Sequence, residues 1–527
     1  MADKLIGAKE LGKELKEISV AEFFEKNRHL LGYDNNTKAL LTVVKECVDN
    51  SIDACEEAGI LPDVNVSVKQ VGENRFLVKV EDNGPGIVEE KLPLAFGKLL
   101  YGSKFHRLRQ ARGTQGIGVS GAILYSQLTT GKPIKITSST GKGIIELELM
   151  IDVIKNQPNI ISSKKMKNPE KWHGIKIEME LEGRYIEKGQ TVPEYLKETA
   201  IMNPYAKIVF NSPNGKITFS RATKEMPRLP KEIKPHPYGV ELGILRRMAQ
   251  MTKEKNIKKF LRKGFSRIGQ TSVQQIFKLA KIDSNKKPMD LTHEDIVKLH
   301  KAMQTIKLVA PPTDCLSQLG EGLIEKGLKK EIDAEYFIAI SRPPSVYRGR
   351  PFAVEVGLSY GGNLNPHTKA KLFRFANKVP LMYHKGDCAL TKSVQGVDWR
   401  RYGLQQSSGY LPIGPLAILV HFISVWVPFT SEGKQAIASY PEIIKEVKLA
   451  LQDAGRKLRI YISRRRKRHE IQMRQSLFEK YIPEVAIALS KVSDVPHEKI
   501  KKGLENLLKR GTKNEENEKE AGSEEGS

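Results

Sequence analysis

The first third of the chain alternates between helical and strand-like patterns of apolar residues. From Thr37 to Ala58 apolar residues recur at helical spacing, and Gly59 ends that pattern. Apolar and polar residues alternate strictly over Val64–Val68 and again over Phe76–Val80, which is typical of half-buried strands. Further strand and helix patterns continue to Leu181. We therefore predict an α/β sandwich, in which helices cover a mixed sheet.

A different pattern follows a cluster of prolines near residue 230. Glu241–Ile306 carries helical signals only and predicts a small all-α insert of four helices. Strand patterns return at Tyr336–Ile340 and predict a second α/β domain, which includes the nearly apolar stretch Leu416–Pro428 as a buried strand. A long amphipathic helix is expected after Pro441.

These changes of pattern divide the chain into six segments. The predicted segments are a leader (1–20), the α/β sandwich (21–232), the all-α insert (233–308), the second α/β domain with its long helix (309–470), a C-terminal helical segment (471–512) and a disordered tail (513–527).

The amino-acid composition indicates the kind of partner and the cellular environment to expect. The 527 residues carry a formal charge of +26, which favours a polyanion such as nucleic acid, although a lysine-rich surface is the plainer explanation. Four cysteines form no regular framework, so reduced thiols are expected. The first ten residues do not resemble a signal peptide, and no clean membrane span is visible. A cytoplasmic protein without membrane contact is predicted.

The helix over 37–58 carries a set of candidate catalytic side chains. Glu46, Asn50 and Asp53 are spaced to share one face of that helix, opposite the apolar stripe. A carboxylate one turn from a carboxamide suits a general base beside an oxygen ligand for Mg²⁺. The alternative is an ordinary polar helix face.

Two glycine-containing loops follow this helix. Asp82, Gly84 and Gly86 end a strand and could read a flat ligand at close range, although such a turn is also common without any ligand. Gly113–Ser120 opens a helix, where free backbone N–H groups make an anion site. This second loop lacks the Gly-Lys-Ser/Thr of a Walker A motif.

The order of these three pieces resembles the GHKL (Bergerat) ATPases. The resemblance implies ATP and Mg²⁺ as cofactors, with Glu46 as the general base, Asn50 as the Mg²⁺ ligand and Asp82 as the adenine reader. It further assigns Asp53, Gly84 and Gly86 to ATP binding, Ser103 and Lys104 to a lid, and a phosphate loop to Gly113, Thr114, Gln115, Gly116, Ile117, Gly118, Val119 and Ser120. The sequence departs from the family at Gly174-Ile175, where Thr often follows Gly. The water network that this Thr supports at Asp82 is therefore in question.

The whole domain order closely resembles the ATPase components of type IIB topoisomerases, the topoisomerase VI family. This resemblance implies a helix–two-turns–helix insert, a transducer domain, and a switch lysine at Lys434 that reaches the γ-phosphate; a solvated turn lysine is the alternative. Trp399-Arg400-Arg401-Tyr402 resembles that family's DNA-facing loop, for which the alternative is a capped aromatic turn. The candidate DNA contacts are Trp399, Arg400, Arg401, Tyr402, Lys258, Lys259, Arg262 and Lys263.

The resemblance also implies partners and a reaction. Two copies would dimerise on binding ATP and gate the passage of double-stranded DNA, relaxing supercoils and decatenating, within an A2B2 heterotetramer of topoisomerase VI. The partner in that assembly, the A subunit, would cleave DNA and dock on Arg464–Leu508, so no DNA-cleaving residue is assigned to this chain. The alternative function is a GHKL chaperone or a MutL-like clamp that passes no DNA.

Overall fold

A computed structural model describes residues 17–104, 107–113, 116–431, 433–493 and 495–508. Thr114 and Gln115 of the predicted phosphate loop, residues 1–16 of the predicted leader and the predicted tail 513–527 lie outside the described residues. The chain divides into two compact units. The first runs to Asp398 and resumes over Leu404–Ala454, and the second comprises Trp399–Gly403 and the residues from Gly455 onward.

An eight-stranded sheet forms the first layer of the N-terminal half. The spatial order is β5-β4-β3-β6-β2-β1-β7-β8, and β1 and β7 are its parallel pair while the other neighbours are antiparallel. The strands are β1 (Asp63–Gly72), β2 (Arg75–Asp82), β3 (Ile134–Thr140), β4 (Gly143–Asp152), β5 (Gln157–Lys167), β6 (His173–Glu182), β7 (Lys207–Ser212) and β8 (Gly215–Phe219).

Helices provide the second layer and bury their apolar stripes against this sheet. Val44, Val48 and Ile52 of α2 are fully buried in the same core as the inward-facing valines of β1 and β2. Asn35 caps α2 by accepting the N–H of Lys38 at 2.9 Å. The helices are α1 (Val20–Lys26), α2 (Asn36–Glu57), α3 (Leu92–Gly97), α4 (Gly118–Thr130) and α5 (Val192–Met202). The predicted α/β sandwich is confirmed.

The all-α insert has a hydrophobic core of its own. Leu245, Phe260, Leu261, Val273 and Leu299 are all buried within it. Its four predicted helices are present as α6 (Leu242–Met251), α7 (Ile257–Gly264), α8 (Gln270–Ala280) and α9 (His293–Thr305).

The second sheet has the order β10-β11-β14-β12-β13, and β9 also pairs with β11. Strands β12 and β14 are parallel, and every residue of β14 is buried. The elements are α10 (Glu321–Glu331), β9 (Tyr336–Ser341), β10 (Ser345–Tyr347), β11 (Arg350–Tyr360), β12 (Lys371–Ala376), β13 (Val379–Pro380), α11 (Ala389–Gln395) and β14 (Leu416–Ser424). The predicted second α/β domain is confirmed, and β14 ends four residues earlier than predicted.

The long helix α12 spans Pro441–Ser493 and is followed by a helix over 497–508, here α13. The helix continues through Pro483, which lies inside α12. Pro483 is exposed, so water can satisfy the carbonyl that loses its helical partner there. Within the described ranges, no helix combines the length and apolarity that crossing a membrane requires.

The sequence patterns missed some elements and overextended others. Helix α5 and strands β5, β7 and β8 were not predicted, and the predicted strand Leu416–Pro428 is limited to Leu416–Ser424. Strand β5 was missed because it is an edge strand that is exposed along most of its length and shows no apolar alternation. The predicted domain boundaries stay predictions.

Candidate nucleotide site

A cavity of about 450 Å³ opens beside α2, the loop after β2, the start of α4 and the lid, which is Tyr101–Arg112. Thirteen predicted site residues share its wall although they are far apart in the chain. They are Glu46, Asn50, Asp53, Asp82, Gly86, Ser103, Lys104, Gly113, Gly116, Gly118, Val119, Ser120 and Lys434.

Two predicted ATP-binding residues do not line this cavity. Gly84 instead donates its backbone N–H to Asp82 Oδ1 at 2.9 Å and so helps to orient the carboxylate. Ile117 lines a smaller neighbouring cavity on the other side of Glu46. Neither residue therefore faces the nucleotide cavity directly.

Asp82 is a buried carboxylate with three donors fixed around it. Ser51 Oγ donates to Oδ2 at 2.7 Å, while the backbone N–H groups of Gly84 and Ile175 donate to Oδ1 at 2.9 and 3.1 Å. Burial raises the pKa of Asp82, and these hydrogen bonds oppose that shift. Its orientation on the cavity wall suits an acceptor for an exocyclic amine.

The question raised by Ile175 is answered in part by this geometry. Ile175 contributes its backbone N–H, which any residue except proline supplies, and the hydroxyl near Asp82 comes from Ser51. Sequence reasoning missed Ser51. Its signal was a serine placed within the apolar stripe of α2, between Val48 and Ile52.

Two glycines are required by close approach around the cavity. A Cβ at Gly118 would lie 2.0 Å from Glu46 Oε2, so a side chain there would displace this carboxylate. Gly86 has φ +70°, and a Cβ there would lie 2.0 Å from the carbonyl oxygen of Ser139. Gly86 therefore has a steric reason that is independent of ligand binding, whereas Gly118 leaves room for the observed position of Glu46.

Glu46 lies between two lysines that keep it ionised. Burial alone would raise the pKa of Glu46, but the charges of Lys45 and Lys434 outweigh burial and lower that pKa. Lys45 Nζ lies 2.9 Å from Glu46 Oε1 and 3.5 Å from Asp49 Oδ2, and Asp49 accepts a hydrogen bond from Tyr195 at 2.9 Å. Sequence reasoning did not identify Lys45, although it adjoins Glu46 in the chain.

Lys434 reaches the cavity wall from the turn after β14. Its backbone has φ +51°, a left-handed conformation, and burial lowers the pKa of its ammonium while Glu46 opposes that shift. The side chain is thus half-buried beside the general-base candidate. This placement differs from that of a solvated turn lysine.

Asp53 and Lys104 are paired with each other on the cavity wall. Asp53 Oδ2 lies 2.8 Å from Lys104 Nζ, and Asp53 Oδ1 lies 2.5 Å from Arg112 Nη1. The carboxylate of Asp53 therefore holds Lys104 and Arg112 of the lid against α2. Arg112 is a further residue that sequence reasoning did not assign.

The residues around Asn50 suit a magnesium ion that is held mostly by phosphate and water. Asn50 Nδ2 donates to the carbonyl of Glu46 at 2.8 Å, which makes the side-chain oxygen the atom available for a cation. Across the described residues there is no group of three His, Cys, Asp or Glu side chains arranged to hold a metal. Mg²⁺ prefers few protein ligands together with water and phosphate oxygens.

The structure corrects one predicted DNA contact. Trp399 is 0% exposed and packs edge-on against Tyr402, with 6.0 Å between ring centroids, so its ring is a core element. Arg400 and Arg401 are exposed and remain candidates, and Tyr402 is half-buried. In α7, Lys259, Arg262 and Lys263 are exposed, while Lys258 is half-buried.

Comparison with known proteins gives two family matches and a set of relatives that cover most of the chain. Residues 35–152 match the family described as histidine kinase-, DNA gyrase B-, and HSP90-like ATPase, and residues 311–474 match the topoisomerase VI B subunit transducer. The B subunit of type 2 DNA topoisomerase 6 from Archaeoglobus fulgidus is 47% identical over 481 residues, covering 89% of this chain and 78% of that protein. The protein of the same name from Pyrococcus horikoshii is 40% identical over 550 residues, covering 95% and 96%.

Proposed function

Because the chain belongs to the family of type 2 DNA topoisomerase 6 B subunits, the ATPase subunits of type IIB topoisomerases, we propose a role for each part of its cavity. The observation that carries the proposal is the meeting of Asp82, Glu46 and Lys434 on one cavity wall. An adenine reader, a general base and a cation for the terminal phosphate then act on a single ATP molecule.

The adenine end of the cavity is formed around Asp82. Its carboxylate is held by Ser51, Gly84 and Ile175, so that it accepts a hydrogen bond without having to reorganise. Ile87, Phe96 and Ile177 add apolar surface to the same cavity, which suits a flat heterocycle.

The phosphate end is formed by the start of α4 and by the turn that bears Lys434. Gly116 and Gly118 expose backbone to the cavity, and a helix N-terminus favours negative charge. Lys434 would pair with the γ-phosphate as a point charge. Mg²⁺, held by Asn50, would neutralise phosphate charge in this region.

Hydrolysis would depend on Glu46 as a general base. The carboxylate is ionised because Lys45 and Lys434 lower its pKa, so it can accept a proton from a water that attacks the γ-phosphate. Lys434 belongs to the second α/β domain, and its contact with the γ-phosphate would report nucleotide state to that domain. ATP-dependent homodimerisation and its reversal by hydrolysis would then close and reopen a gate for a DNA duplex.

Exposed cations of the insert would contact DNA phosphates, and Arg400 and Arg401 are a separate candidate for such contacts. Lys259, Arg262 and Lys263 form an exposed basic face on α7. Such contacts to phosphate supply affinity without sequence preference.

The DNA-cleaving A subunit would dock on the C-terminal part of α12. Large apolar side chains recur there every four residues and remain 43–61% exposed: Met473, Leu477, Tyr481, Val485 and Leu489. A regular apolar stripe on a charged helix is the form of a helix-in-groove anchor. Two copies of this chain would pair through their ATPase domains, and each would bind one A subunit through this stripe. The result is the proposed A2B2 assembly.

Strand passage by the reconstituted enzyme tests this function. The chain mixed with its cognate A subunit is expected to relax supercoiled DNA and to decatenate linked circles only when ATP and Mg²⁺ are present. ATP hydrolysis without relaxation under any condition, and without a response to the cognate partner, would instead favour a clamp that passes no DNA.

A further inference from the structure

Two lysines leave the second sheet at the same edge and point to the same helix. Lys378 follows β12 and Lys434 follows β14, and these parallel neighbours pair as far as Ala376 and Phe422. The carboxyl ends of parallel strands lie at one edge of a sheet, and from this edge the chain reaches Lys378 after two residues and Lys434 after ten. Lys434 lines the same cavity as Glu46 of α2 and interacts with its charge, whereas Lys378 Nζ lies 3.0 Å from Glu56 Oε2.

The two contact points on α2 are widely separated. At about 1.5 Å per residue, Glu46 and Glu56 lie roughly 15 Å apart along the helix axis. The second domain therefore approaches the nucleotide helix near Glu46 and again near Glu56, and the sequence indicated only the approach at Lys434.

The pair of Lys378 and Glu56 is buried. The two side chains are 5% and 12% exposed, and Tyr205 Oη lies 2.5 Å from Glu56 Oε1 and 3.2 Å from Lys378 Nζ. A buried ion pair loses hydration and adds little net stability compared with apolar residues of the same size, whereas it can fix the relative position of two elements. The pair of Lys378 and Glu56 is therefore suited to fixing the position of the second sheet relative to α2.

The buried pair is the start of a continuous ionic chain, defined here as Lys378, Glu56, Arg112, Asp53 and Lys104. Glu56 Oε1 lies 2.6 Å from Arg112 Nη2, Arg112 Nη1 lies 2.5 Å from Asp53 Oδ1, and Asp53 Oδ2 lies 2.8 Å from Lys104 Nζ. Asp53 and Lys104 are on the wall of the nucleotide cavity. The ionic chain thus runs from the second sheet to the lid.

The same turn also holds the backbone of the lid. Asn377 Nδ2 donates to the carbonyl of Ala111 at 3.0 Å. One residue earlier in the lid, the side chain of Gln110 donates to the carbonyl of Ser317 at 3.1 Å and accepts its N–H at 2.8 Å. The end of the lid is therefore fixed to the second domain by both side-chain and main-chain contacts.

The turn at 377–378 is also fixed to the core of its own sheet. The N–H of Lys378 donates to His421 Nε2 at 3.0 Å, and His421 Nδ1 donates to Glu355 at 2.9 Å. Glu355 also accepts the N–H of Gly320 at 2.7 Å. A movement of the sheet must therefore carry Lys378 with it.

We propose that Lys378 is a positioning residue that transmits the position of the second domain to the lid through the ionic chain. Lys434 acts at the phosphate end of ATP, while Lys378 controls how firmly Asp53 and Lys104 hold the lid over the cavity. Nucleotide is then retained only while the second sheet is seated on Glu56. This inference rests on the proposed ATP-binding role of the cavity.

Lys378→Met in the full chain with its cognate partner tests the proposal, because methionine fills the space without the charge and Arg112 still compensates Glu56. The KM for ATP is expected to rise about tenfold while kcat stays within about threefold. Hydrogen exchange of the lid with a non-hydrolysable ATP analogue bound should become faster, and Lys378→Arg should restore both values. Lys385→Met, an exposed lysine of the same domain, is the matched control.

An unchanged KM with a protected lid would overturn the proposal. A fall in kcat and in melting temperature at unchanged KM would assign Lys378 a purely structural role and would overturn it equally. Retained turnover in Glu46→Ala would instead remove the assignment of the cavity, so the two failures are distinguishable.

A double-mutant cycle with Glu56→Gln gives a second test. If both residues act through one ionic chain, Lys378→Met combined with Glu56→Gln should raise KM no further than Glu56→Gln alone. Additive effects on KM would show that the two side chains act separately, contrary to the proposal.

Discussion

At the scale of single residues, the site depends on charges that neighbouring groups hold in a fixed state. Glu46 is ionised because Lys45 and Lys434 outweigh its burial, and Asp82 keeps its orientation through Ser51, Gly84 and Ile175. Ile175 holds Asp82 through its backbone N–H, and the residue also lies on the cavity wall.

Replacing Glu46 with alanine should separate ATP binding from hydrolysis. Loss of a general base is expected to lower turnover by about 10²- to 10⁴-fold, while ATP binding and ATP-dependent dimerisation persist. Steady-state turnover, with light scattering for dimerisation, measures both. Glu57→Gln on the same cavity wall is the control, and unchanged turnover in Glu46→Ala would remove Glu46 from the role of base.

At the scale of elements, α5 carries a buried acid next to the second domain. Glu198 is 8% exposed, and burial, followed by repulsion from Glu194, raises its pKa to about 8. Because the folded-state pKa lies above the ordinary value of 4.5, stability is lost as pH rises from 4.5 through 8. Above that range the folded protein holds a buried negative charge.

Glu198→Gln should therefore stabilise the protein in alkali. Its melting temperature is expected to exceed that of the unmodified chain by a few degrees near pH 9 and to match it near pH 5. Thermal unfolding across this pH range checks the prediction, with Glu187→Gln at an exposed position as the control. An equal shift at both pH values would mean that ionisation of Glu198 is not the cause.

The turn that bears Lys434 is a second element with a testable role. Lys434→Ala should lose most hydrolysis while ATP affinity is largely kept, because the lysine is expected to engage the γ-phosphate chiefly as the reaction proceeds. Equilibrium binding of ATP and single-turnover hydrolysis distinguish these two effects. Normal turnover would return Lys434 to the status of an ordinary turn residue.

At the scale of the whole molecule, the charge of +26 is distributed over several surfaces, of which α7 is one. If α7 meets DNA phosphates, affinity should fall steeply with salt, and replacing Lys258, Lys259, Arg262 and Lys263 with alanine should reduce the log–log salt slope by about three.

Fluorescence anisotropy of labelled duplex DNA at several salt concentrations measures this slope. The control replaces four exposed lysines on or beside β5, namely Lys155, Lys164, Lys165 and Lys167. An equal reduction in both variants would show that the net charge, and not the face of α7, determines the affinity.

The sequence by itself determined the family, the fold class and most of the candidate catalytic residues. Glu46, Asn50, Asp82 and the glycine loop lie on or beside helices and strands. The pattern of apolar residues that predicts these elements can be recognised from short stretches of sequence. The spacing of these residues along α2 and at strand ends fixed which side chains face one way before any packing was known.

Tertiary structure alone decided what joins those residues. Ser51 beside Asp82 and the path from Lys378 to Lys104 through Arg112 are contacts between chain positions as far apart as 56 and 378. Trp399 showed the converse, because its motif indicated a DNA contact while packing buried the ring. Local periodicity carries no information on which distant side chains share a buried space, so these contacts depend on how the sheets pack against α2.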